Sequence, residues 1–95
     1  EFSPKAQFQI ADIYLNDVKD YIFSIQAFET LISNYSETVL AKKDFFMVPY
    51  IYSNYLNEYS KAMEQYGLFL EKYPYDELVP SAELDLENIY IYINP

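Results

Sequence analysis

The side chains that could carry out chemistry in this sequence are almost all carboxylates. There is no Cys and no His among the 95 residues. Thiol chemistry, Cys/His zinc sites and imidazole acid–base catalysis are therefore excluded. The acids gather late in the chain, at Asp76 and Glu77 and again at Glu83, Asp85 and Glu87. On a helix Glu83 and Glu87 share a face, which is a start toward holding a cation. No Asp-x-Asp-x-Asp-Gly loop with a distal Glu accompanies them, so they are not an EF-hand. A solvated acidic face is the reading these residues support. Paired carboxylates can also cleave glycosides, but scattered acids on outer helix faces enclose no pocket. No Gly-x-Ser-x-Gly, phosphate loop or dinucleotide fingerprint is present. The sequence predicts no enzyme, no cofactor and no metal.

What remains is aromatic. The chain has 12 Tyr and 7 Phe but no Trp. Tyrosine combines a large apolar ring with a hydroxyl that favours water, so many of these rings should line grooves and helix edges. The net charge is −9, from 15 acids against 6 lysines. That repels nucleic acid phosphates and anionic membranes. No run approaches the roughly 18–20 apolar residues of a membrane span. The lack of Cys does not fix the compartment. The chain begins at Glu1 rather than Met, which suggests an excised segment, with Glu1-Phe2 consistent with a cloning scar. Its length makes one domain, able to bury about 60–65% of its unfolded surface.

The elements that must position these rings are organised around Asn57 to Pro74. Tyr59, Met63, Tyr66, Phe69, Leu70 and Tyr73 recur at steps of 4, 3, 3, 1 and 3, the spacing of one face of a helix. Ala62 on the same side leaves room for a second helix, and Pro74 ends the segment. At a spacing of 38 residues the pattern occurs earlier, as Tyr21, Ser24, Ile25, Phe28, Leu31, Ile32 and Tyr35. A fixed repeat spacing indicates an array of units.

Taken in order, Ser3-Pro4 is an N-cap followed by proline at the first helical position, and opens a helix to about Asn16. A short loop from Asn16 to Lys19 follows. Asp20 caps a second helix to about Tyr35, which Ser36-Glu37-Thr38 breaks. A third helix covers about 39–56. The same spacing pairs Phe8 with Phe46, Ile10 with Val48, Ile13 with Ile51 and Ala11 with Pro49. Proline inside a helix costs roughly 3 kcal/mol, so a kink or split is expected between Phe45 and Pro49. A fourth helix covers about 58–73, with Gly67 in its middle as a candidate close contact. A fifth, about 80–93, places Ala82, Leu84, Leu86, Ile89 and Tyr90 where the first has Ala6, Phe8, Ile10, Ile13 and Tyr14. The alternation at Ile89 to Ile93 would suit a strand, but the repeat register and Pro80 favour a helix.

These residues resemble the tetratricopeptide repeat family. Asn57-Glu58-Tyr59, Ala62-Met63, Tyr66, Phe69-Leu70 and Pro74 match its second-helix motif in register. Asp20-Tyr21, Ser24-Ile25, Phe28 and Leu31-Ile32 match more loosely, and Ile10-Ala11 and Tyr14 match its first helix. The resemblance implies an all-α, right-handed solenoid of antiparallel helix pairs with five helices. It amounts to about two and a half repeats of 38 residues, at about 3–40, 41–78 and a partial 79–95. The period is longer than the family's usual repeat, and Pro49 replaces the small residue where paired helices approach. The linker YPYDELVPSAEL is similar to those of bacterial envelope relatives, the outer-membrane assembly lipoproteins and the Tol–Pal coordinators, implying periplasm or envelope.

In that family the first helix of each repeat lines a concave face. The resemblance therefore implies a groove of Lys5, Phe8 and Asp12, then Lys43, Phe46, Tyr50 and Asn54, then Leu84 and Asn88. It would hold a peptide or partner protein through apolar side chains. Ordinary packing of the rings, within a purely structural solenoid segment or self-associating scaffold, is the alternative. Finally, Leu84, Leu86, Ile89, Tyr90 and Ile93 wrap too far round the fifth helix to face one neighbour. Some of that surface must meet a second copy of this chain, the next repeat of a longer protein or an external ligand; association of two copies through Ile89 and Ile93, strengthening as salt rises, is the testable expectation.

Overall fold

A computed structural model describes residues 3–35 and 39–94, those at 39 and 40 by their backbone alone. The described residues form five α-helices and no strand: α1 Pro4–Ile13, α2 Tyr21–Asn34, α3 Val39–Asn54, α4 Tyr59–Lys72 and α5 Val79–Ile93. Each packs on its neighbours in sequence, and α1 also touches α3. The result is an elongated stack, 46 × 30 × 17 Å.

The repeat is conformational as well as compositional. Helices α2 and α4 begin and end at positions 38 apart. The turns that precede them are also equivalent. Lys19 and Asn57 both take positive φ, at 63° and 55°. The Asp20 N–H donates to the Tyr14 carbonyl and the Glu58 N–H to the Tyr52 carbonyl, each at 2.9 Å. Asn57 tolerates this left-handed conformation better than Lys19 does. The expected loop at Asn16 to Lys19 is instead wound as a π-helical turn over Tyr14–Val18. Single π-turns are a way for a helix to take in extra chain without breaking.

Helix starts follow their capping chemistry. The Ser3 hydroxyl accepts from the Ala6 N–H at 3.2 Å, ahead of Pro4. The Asp20 carboxylate accepts from the Phe23 N–H at 3.1 Å. The expected break at Ser36-Glu37-Thr38 lies outside the described residues. The expected split at Pro49 does not occur, since α3 runs unbroken through it. Nor does a strand form near the C-terminus: Ile89 to Ile93 are helical.

Helix α3 carries apolar residues on two faces because it is covered on two sides. Val48 and Ile51 join Ala11, Leu15, Ile25, Phe28 and Leu31 in one core. Phe45, Phe46 and Tyr52 pack against a second core of Ala62, Tyr66, Phe69, Ala82 and Ile89. Where α1 meets α2, the buried Ser24 hydroxyl donates to the Ala11 carbonyl at 3.1 Å. Where α4 meets α5, the buried Tyr66 hydroxyl donates to Asp85 Oδ2 at 2.6 Å. Burial, and then the Asp85 carboxylate, push the Tyr66 phenol up from its ordinary value.

Two expectations change here. Ile89, expected on an association surface, is only 3% exposed and belongs to the second core. It is the residue of α5 equivalent to Ile51, and both face the preceding helix pair. Gly67 marks no close contact: a Cβ built there meets nothing within 4 Å. Glycine in a helix interior costs about 0.5–1 kcal/mol relative to alanine. Gly67→Ala should therefore raise stability by about that amount in urea titration, and a loss would show that the glycine serves packing after all.

Candidate functional site

The groove residues fall into three groups. Phe8, Lys43, Phe46, Tyr50 and Asn54 form a connected strip. The Lys43 ammonium lies 5.0 Å from the centre of the Phe8 ring. Phe46 and Tyr50 stack at 6.2 Å, and the Asn54 side-chain amide donates to the Tyr50 carbonyl at 3.0 Å. The strip continues as Tyr50 meets Tyr55 at 6.2 Å and Tyr55 stacks on Tyr21 at 4.9 Å. Lys5 and Asp12 stand apart on α1. Lys5 is exposed, and Asp12 accepts from the Asn16 amide at 3.0 Å. Leu84 and Asn88 are exposed on α5.

Two of the rings also hold the helix pairs together. Phe8 meets Phe28 edge-on at 5.5 Å. Phe46 meets Tyr66 at 5.7 Å and Phe69 at 5.8 Å. Both are half-buried, so each offers only its outer edge to a ligand.

The edge of Phe46 opens into a cavity of about 880 Å³, widely open to solvent. Its walls are Lys42, Lys43, Phe46 and Met47 on α3, and Tyr73 to Leu78 on the linker into α5. The linker is fixed by its own chemistry. The Asp76 carboxylate accepts from the Leu78 N–H at 3.0 Å and pairs with the Lys42 ammonium at 3.3 Å. Tyr75 stands at the rim, 98% exposed. Of the expected groove residues only Lys43 and Phe46 line this cavity; Lys5, Phe8, Asp12, Tyr50, Asn54, Leu84 and Asn88 do not. The linker residues that do were missed as site residues, although two tyrosines flanking Pro74 in an exposed connection were the available signal.

A second feature went unseen in the sequence. Asp44 on α3 is 1% exposed, and its Oδ1 has no hydrogen-bond partner among the described residues. Burial raises its carboxyl to about 7, against the opposing pull of Lys43. The equivalent residues of the other two repeats are Ala6 and Ala82, so an acid at a position otherwise alanine was the signal. Among the described residues no group of three or more acids could hold a metal ion. No described helix is long and apolar enough to cross a membrane. The arrangement can therefore bind an apolar or aromatic side chain between α3 and the linker, with ammonium groups at its edge.

No protein-family model matches the chain, and no curated protein matches it either.

Proposed function

We propose that this chain is a non-catalytic interaction module of the tetratricopeptide repeat kind, a right-handed solenoid that presents a groove to a peptide or partner protein. The observation that carries this reading is the cavity between α3 and the linker, open, walled by Phe46, Met47, Tyr73 and Leu78, and edged by Lys43. Such a site suits an extended segment that inserts an apolar side chain and places an acidic group near the ammonium. The linker's similarity to envelope relatives supports a periplasmic or envelope setting. A second reading, a structural segment of a longer solenoid, is favoured by exposed apolar residues at both ends: Ile13, Ile22 and Phe23, and again Tyr90 and Ile91.

A panel of immobilised peptides separates the two. Lys43→Glu and Tyr75→Ser change exposed residues; measured at about pH 5, where Asp44 holds its proton, melting temperature should hold while peptide capture falls by about tenfold, or about 1.4 kcal/mol. Capture that ignores both changes favours the structural reading. Phe46 is unsuitable for this test because its loss would also loosen α3 from α4.

A further inference from the structure

The register gives α5 a face whose role can be named. In α1 the residues Phe8, Ala11, Tyr14 and Leu15 cover α2: Phe8 meets Phe28, Tyr14 lies 4.1 Å from Phe23, and Ala11 and Leu15 are buried. In α3 the equivalents are Phe46, Pro49, Tyr52 and Ser53, and none of them is exposed. In α5 the equivalents are Leu84, Glu87, Tyr90 and Ile91. All four are exposed, the three apolar ones at 57%, 60% and 58%. The opposite side of α5, with Ala82 and Ile89, is already spent on α4.

The face therefore has the outline of a helix-accepting surface, filled twice in this fold and open the third time. Its chemistry differs from the filled ones. Glu87 stands where Ala11 and Pro49 let a helix come close, and Glu83 lies one turn away where α3 has Phe45. Neither acid has an ion-pair partner among the described residues. A helix seated here would bury Glu87, and a buried charge must be paired. A second copy of this chain would bring its own Glu83 and Glu87 together with a net charge of −9, so like charges oppose that occupant. We propose that the outer face of α5 docks a basic amphipathic helix. Its apolar stripe would lie on Leu84, Tyr90 and Ile91, and its Lys or Arg side chains would meet Glu83 and Glu87. This surface is separate from the cavity at the linker, and neither reading depends on the other.

The test uses the full 95-residue chain and a labelled synthetic helix as long as α2, with Leu along one stripe and Lys on either side of it. A second peptide replaces each Lys with Glu. Polarisation titrations should show the Lys peptide binding and the Glu peptide not. Glu87→Lys and Ile91→Asp should each weaken the Lys peptide by about tenfold or more. Glu87→Lys should in turn gain affinity for the Glu peptide. Glu71→Lys makes the same charge change on an exposed part of α4 and should have little effect. Equal weakening by Glu71→Lys and Glu87→Lys would reduce the binding to general charge attraction and overturn the proposal. So would no binding at all, or sedimentation showing that two copies pair through α5 in preference to the peptide.

Discussion

Asp44→Ala should make the protein more stable at neutral and alkaline pH. Asp44 is buried, with one oxygen unpartnered among the described residues, and its carboxyl is raised from 3.8 to about 7. The folded chain therefore holds a proton at this site between those two values that the unfolded chain has released. Stability contributed through this group falls as pH rises across that window, and the full penalty is present above about pH 7. A displacement of that size corresponds to roughly 4 kcal/mol as an upper limit. Alanine already occupies the two equivalent positions, Ala6 and Ala82, so the replacement suits the local packing. A gain of about 2–4 kcal/mol at about pH 8 is expected, which for a chain of this size raises the melting temperature by at least about 8 °C. Below about pH 4 wild type and variant should converge, because the carboxyl is then protonated in both states. Comparing the two proteins at each pH cancels the contribution of the other acids. A variant equally unstable at every pH would mean that Asp44 has a partner in solution and that burial does not set its charge.

Ile89→Asp should cost about 4–5 kcal/mol and undock α5, whereas Ile91→Asp should change stability by no more than about 0.5 kcal/mol. The two residues are two positions apart on one helix. Ile89 lies in the core with Ala62, Tyr66 and Phe69, and Ile91 lies in solvent. An aspartate at 89 would carry a charge into that core and remove the side chain that fills it. Urea titrations of both variants check this. The reverse order of effects would place the wrong face of α5 against α4. The result also bears on self-association. Ile89 is consumed inside the protein, and Ile93, at the end of α5, remains partly exposed.

The helices were legible because their signals are local. Ser3-Pro4 and Asp20 cap as their chemistry dictates, and the Tyr21 and Tyr59 helices coincide with the 38-residue spacing. The π-turn at Tyr14–Val18 was not legible, because its hydrogen bonds depend on how α1 is held against α2 rather than on residue type. The facing of α5 was half legible. Period alone shows that its apolar residues exceed one face, but only the packing of α3 tells which face points to the preceding pair. The candidate site was read less well than the fold. Phe8, Lys43, Phe46 and Tyr50 do come together, yet the cavity draws its far wall from Tyr73 to Leu78, in a connection with no periodicity to follow. Asp44 escaped notice because an acid within an apolar helix looks like a solvent-facing residue until both neighbours of α3 are in place.

Three equivalent helices, α1, α3 and α5, present two faces in fixed register, and α5 has only one of them covered. Methyl and aromatic nuclear Overhauser contacts in the isolated chain test this most directly. Contacts are expected from Ile89 to Tyr66 and Phe69 and from Val48 and Ile51 to Phe28, with Ile91 showing contacts to water and to none of the α4 side chains. Contacts from Ile91 to Tyr66 or Phe69, with Ile89 in water, would contradict it.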